Sequence, residues 1–127
     1  MPATASKPAT KPAIRILYGE SDENVLASNA AAIKKAGHYV TTALNRRSLE
    51  DELRANAFDL VILGSTLSKD DRHHLPYMVK KAHERTKVLV MHAGTRHHEV
   101  DAAVHSGMSM VLLLEKIAAL LQPAAVG

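Results

Sequence analysis

The chain of 127 residues contains no cysteine. Disulfides, thiolate metal sites and thiol catalysis are excluded with it. There is no tryptophan, one phenylalanine and three tyrosines. Single-stranded nucleic acid is bound in basic grooves lined with aromatic platforms, so this composition disfavours such a partner. The net charge is only +3, and the cationic side chains are scattered. Lys7 and Lys11 lie near the amino terminus. The pairs Lys34-Lys35, Arg46-Arg47 and Lys80-Lys81 read as solvated helix faces. Apolar runs such as Met110 to Leu114 are far shorter than the ~20 residues of a membrane span. No apolar h-region marks a signal peptide. The expectation is a cytoplasmic protein with no membrane or nucleic-acid partner and no cofactor.

Chemical motifs are also scarce. There is no glycine-rich phosphate loop, and the acidic turn Gly19-Glu-Ser-Asp22 disfavours a phosphate ligand. Ser65 and Ser68 lack a glycine-flanked elbow and read as turn and cap. Asp70 and Asp71 supply negative charge to a helix start. Glu20 and Asp22 have no companion nucleophile. No enzymatic activity is expected.

What is present suits one globular domain, with 46% apolar residues. Residues 1–12 are rich in Pro, Ala and Thr and are expected to be disordered. Residues 123–127 read as a flexible end. Between them, β-type runs alternate with helical patterns, which signals a parallel sheet with crossover helices. Ile14 to Tyr18 is the first strand. Ser21 or Asp22 caps a helix to about Ala36, stopped by Gly37. His38 to Leu44 is the second strand. Ser48-Leu49-Glu50-Asp51 resembles a capping box for a short helix burying Leu49 and Leu53. Leu60 to Leu63 is apolar throughout, as in a strand covered on both faces. A helix to about Arg85 follows, with Leu75, Met78, Val79 and Ala82 as its buried stripe and Pro76 inside, which predicts a kink or a late start. Lys87 to Met91 is the fourth strand. Thr95 caps a helix through His105.

The carboxyl-terminal stretch admits two readings. Met110 to Leu114 could be a fifth strand. Alternatively, Leu113, Leu114, Ile117, Leu120 and Leu121 form a helical stripe. Fourteen residues separate Gly107 from Leu121, too few for a strand, a loop and a helix, which need roughly twenty or more. A helix from about Ser109 to Leu121 is favoured, with the fifth strand reduced or absent.

The order and lengths of these elements, the segment Asp59-Leu-Val-Ile-Leu63 and the helix end Lys34-Lys-Ala-Gly37-His-Tyr-Val40 resemble the receiver domains of bacterial response regulators. The likeness covers about Ile14 to Leu121. It implies a flavodoxin-like receiver fold within residues 13–122: a three-layer αβα arrangement around a doubly wound parallel sheet, strand order 2-1-3-4. It also implies a phosphorylation site at the carboxyl ends of the strands. Receivers hold Mg²⁺ with two acids after the first strand, where this chain has Glu20 and Ser21. Their acceptor aspartate, at the end of the third strand, is Gly64 here. Their hydroxyl residue after the fourth strand is His92. Their lysine after the fifth falls near Leu114 or is deleted. The aromatic residue of their switch is missing, because no aromatic follows Tyr77. Phosphoryl transfer needs a nucleophile and charge stabilisation by metal or cation, and neither stands at its expected position.

Two classes of function follow. One is a phosphorylation-independent receiver-like module acting by protein association in two-component signalling, with a histidine kinase or another signalling protein as partner. The other is a metal sensor or metal-dependent enzyme built on the histidines. His73-His74, His92 and His97-His98 map near the carboxyl side of the sheet. His92, His97 and His98 are the metal candidates, with Glu20 or Asp22 as an oxygen ligand. Their spacing matches no zinc motif, and no metal is expected. A homodimer is expected too. With a reduced fifth strand the apolar fourth strand becomes an edge or near-edge strand, and Val100, Val104, Leu113, Ile117 and Leu121 could form an isologous interface.

Overall fold

The computed structural model describes residues 14–91, 102–104 and 110–121. The expected tail (1–12), the expected flexible end (123–127), His92, His97, His98 and Val100 lie outside them. Nine elements follow in order: β1 (Arg15–Gly19), α1 (Glu23–Lys35), β2 (Tyr39–Ala43), α2 (Arg46–Ala55), β3 (Leu60–Leu63), α3 (Lys69–Ala82), β4 (Lys87–Met91), β5 (Ala102–Val104) and α4 (Met110–Leu121). All strand pairs are parallel, in the order β2-β1-β3-β4-β5. The doubly wound sheet with 2-1-3-4 at its heart and a fifth strand of three residues is therefore observed.

The pleat sorts the aliphatic strands between two cores, because successive side chains point to opposite faces. Ile16, Tyr18, Leu60, Ile62, Leu89 and Met91 face Leu26, Ala30 and Ile33 of α1 and Leu113 and Ile117 of α4. Leu17, Val61, Leu63, Val88 and Val90 face Leu49 and Leu53 of α2 and Leu75 and Val79 of α3. The sheet thus forms the middle of three layers. This double burial is why β3 and β4 are uninterrupted apolar runs rather than alternating ones.

Local signals set most helix ends. Asp22 caps α1, its carboxylate accepting from the amides of Asn24 and Val25 at 2.9 and 3.1 Å. Gly37 leaves the helix at φ 105°, a conformation that suits glycine. Ser68 caps α3 through the amide of Asp71 at 3.0 Å. Pro76 sits inside α3 on the buried side, and the helix begins at Lys69 without a late start. Of the stripe expected there, Leu75 and Val79 are buried, Met78 is half-buried and Ala82 is exposed.

Three expectations are corrected. The cap of α2 is Asn45, which accepts from the amide of Ser48 at 2.9 Å; Ser48 is already inside the helix. The fifth strand lies at Ala102–Val104, within the stretch read as a helix from Thr95 through His105. It pairs with Leu89, Val90 and Met91, which leaves β4 next to the edge of the sheet. Met110 to Leu114 is helical, as favoured, and Leu114 lies in α4. Leu113 and Ile117 are 2% and 0% exposed. They close the core over β1, β3 and β4 and are not available to a second copy. Val104 lies on β5 and Leu121 ends α4. Among the described residues no helix is long and apolar enough to cross a membrane.

Candidate functional site

Parallel strands with helices on both faces leave their carboxyl ends open for a site. At that end β1 and β3 run side by side, with Gly19 in register with Leu63. Glu20 follows β1 and Gly64 follows β3. The Gly64 amide donates to the Gly19 carbonyl at 2.8 Å, and the Glu20 amide to the Ala43 carbonyl at 3.2 Å. Both residues are therefore held by the sheet.

The Glu20 side chain does not reach into solvent. It is 0% exposed, and its carboxylate lies directly against Gly64. A Cβ built on Gly64 would stand 1.9 Å from the Glu20 carboxyl carbon and 2.0 and 2.1 Å from its two oxygens. The carboxylate fills the place where a side chain at position 64 would begin.

Neutral donors surround it. Its Oε1 accepts from the Thr66 amide at 2.9 Å and from the Thr66 hydroxyl at 2.6 Å. Its Oε2 accepts from the Tyr18 hydroxyl. Asn29 Nδ2 of α1 in turn donates to the Tyr18 oxygen at 2.8 Å. Thr66 Oγ1 also accepts from the amides of Ser21 and Asp22 at 2.8 and 3.0 Å. Buried polar groups are tolerated when each finds a partner, and hydrogen bonds to an ionised acceptor are the stronger ones. Burial, and after it the hydrogen bond to Glu20, pushes the Tyr18 phenol far above the ordinary tyrosine range; the bond from Asn29 opposes them. Tyr18 is thus a donor to Glu20 at any physiological pH.

Among the expected site residues, Glu20 and Gly64 meet. Ser21 is exposed at the turn and enters the network through its backbone amide, not its hydroxyl. Leu114 sits on α4 and packs, half-buried, against the core cluster that contains Tyr18. His92 lies outside the described residues. No lysine occurs between Lys87 and Lys116, so none can stand at the end of β5. His73 is exposed on α3, and the His74 ring lies tilted beside Tyr77, their centroids 6.2 Å apart. Among the described residues no group of three or more histidines and acids could hold a metal ion.

Tyr18, Asn29 and Thr66 are site residues that sequence reasoning missed. A signal existed for the first. Tyr18 and Glu20 are two apart and so share a face at the end of a strand, and a tyrosine in an aliphatic strand needs a partner for its hydroxyl. Nothing local connects Thr66 to Glu20.

No protein-family model matches the sequence, and no curated protein does. Solved structures do. The chemotaxis protein CheY4 of Vibrio cholerae superposes with a TM-score of 0.75 at 14% identity, over 87% of this chain and 100% of that one. A CheY-like response regulator receiver domain protein of Methanospirillum hungatei gives 0.75 at 19% identity, over 85% and 93%. The response regulator TrrA of Thermotoga maritima, solved with Mg²⁺ and BeF, gives 0.74 at 19% identity, over 84% and 98%. At such identities the likeness speaks for architecture, and the chain has the fold of response regulator receiver domains.

Proposed function

We propose that this chain is a receiver-fold signalling module that works by association with a protein partner and without being phosphorylated. One observation carries the reading: the Glu20 carboxylate occupies the space beside Gly64 where a phosphoryl-accepting side chain would start. Glycine offers no nucleophile. The neighbouring acid is turned inward onto Tyr18 and Thr66, away from any substrate. Among the described residues neither a nucleophile nor a stabilising cation stands at this site, which supports a module without a phosphoryl-transfer reaction of its own.

The fold likeness supports a place in bacterial two-component signalling, with a histidine kinase or another signalling protein as partner, in the cytoplasm. A homodimer belongs to the same reading. With Leu113 and Ile117 committed to the core, its surface has to be built elsewhere. Sedimentation equilibrium over a concentration series checks it; a single species at the chain mass of 13.7 kDa throughout refutes the dimer.

The functional reading is tested by intact-mass measurement after incubation with acetyl phosphate and Mg²⁺. No gain of a phosphoryl group is expected. A hydroxylamine-labile adduct on Asp59, Asp70 or Asp71 would overturn it.

A further inference from the structure

We propose that Glu20 is the resident occupant of the site. Its carboxylate takes the volume of any side chain at position 64 and, through Thr66, holds the loops after β1 and β3 in one arrangement. This concerns the regulation of the same site and rests on reading that site as unphosphorylated.

Glycine at position 64 is not demanded by its backbone. Among the described glycines only Gly37 has a positive φ, so an L side chain at 64 meets no conformational penalty of that kind. What excludes it is Glu20. A Cβ would come within 1.9 to 2.1 Å of the carboxyl group, where real Cβ atoms essentially never approach below 3.0 Å. A flexible side-chain end could normally swing away. This one is fully buried and tied down by three hydrogen bonds from Tyr18 and Thr66. Moving it strands buried donors, and stranded donors are expensive. Positions 20 and 64 are therefore alternatives. The pocket holds one carboxylate, and geometry allows it to come from either wall.

Thr66 spreads the effect. Its hydroxyl donates to Glu20 and accepts from the amides of Ser21 and Asp22. Asp22 is the cap of α1. A single side chain thus joins the end of β1, the start of α1 and the loop that leads into α3. A switch needs an element with two arrangements, and contacts made in only one of them bias the equilibrium toward it. The Glu20 bonds act as such a bias, supplied by the chain itself rather than by a ligand.

The test compares thermal melting of the native protein, G64D, E20G and E20G/G64D. G64D should lower Tm by roughly 5–15 °C, the range for a few kcal/mol in a domain of this size. E20G should also lower it. The double variant returns one carboxylate to the pocket from the other wall and should melt above both single variants. A double variant that melts no higher than the better single overturns the proposal. If G64D does not fold, the double variant against E20G decides in the same way. Amide exchange on the native protein adds a readout without any substitution. The amides of Thr66, Ser21 and Asp22 should be protected, and exchange at open-loop rates would refute the tie between the loops. Phosphoryl uptake by the native chain would sink the functional reading on its own, while the melting order reports only on the shared pocket.

Discussion

Two carboxylates sit at opposite ends of the same pair of strands, and they are held in opposite ways. Asp59 precedes β3 at the amino-terminal end of the sheet. Its Oδ2 accepts from the Arg15 amide at 2.8 Å, and its own amide donates to the Arg15 carbonyl at 2.8 Å. It remains exposed, in an open groove of about 540 Å³ that Arg85 and Lys87 also line. Glu20 follows β1 at the carboxyl-terminal end, fully buried, and its donors among the described residues are neutral. Water solvates the first carboxylate at little cost. The second has lost water altogether, so every donor around it matters. A buried polar group is tolerated only with partners of its own.

The predictions press on this contrast. Gly64→Ala should be the most damaging small change in the protein. One methyl group must evict the Glu20 carboxylate, and a loss of about 2–4 kcal/mol is expected in urea unfolding. A loss below about 0.5 kcal/mol would mean that Glu20 moves freely. Tyr18→Phe comes next. It leaves Glu20 Oε2 and Asn29 without their partner inside the core and should cost about 1–3 kcal/mol. A neutral result would place a water in the hydroxyl's stead.

Alkaline pH should act through the same phenol. Its folded-state pKa is raised, mainly by burial. Below the ordinary tyrosine value near ~10 the phenol is neutral in both states and its stabilisation is fully present. Above it the unfolded chain releases the proton and the folded chain does not, so stability falls as pH rises through that value. The native protein should therefore lose more stability between pH 9 and 11 than Tyr18→Phe does. Equal slopes would contradict it. The smallest effect is expected at the other end: Asp59→Ala should cost less than ~1 kcal/mol, because the Arg15 amide can turn to water instead. A loss as large as that of Tyr18→Phe would erase the distinction between the two ends.

Much of the fold was legible because its signals are local. Asp22 and Gly37 bound α1 by capping and by left-handed geometry. The shortage of residues after Gly107 assigned the last segment to a helix, and α4 runs Met110–Leu121. β5 was not legible. Ala-Ala-Val is too short to show a period, and pairing with Leu89, Val90 and Met91 is what makes it a strand. The same pairing covers one side of β4, and Leu113 and Ile117 of the expected dimer surface are buried within the chain. An apolar stripe on a helix reveals that it will be covered, not by which chain.

At the site, the sequence alone determined which side chains are available. Gly64 has no nucleophile, and no lysine lies between Lys87 and Lys116. Side-chain identity is enough for that. It could not tell that Glu20 turns inward, because the network comes from three places in the chain: Glu20 accepts from Tyr18 on β1 and from Thr66 beyond β3, and Asn29 on α1 donates to Tyr18. Only the tertiary structure brings these groups within hydrogen-bonding distance. Only the absence of a Cβ at Gly64 leaves the carboxylate room to lie there.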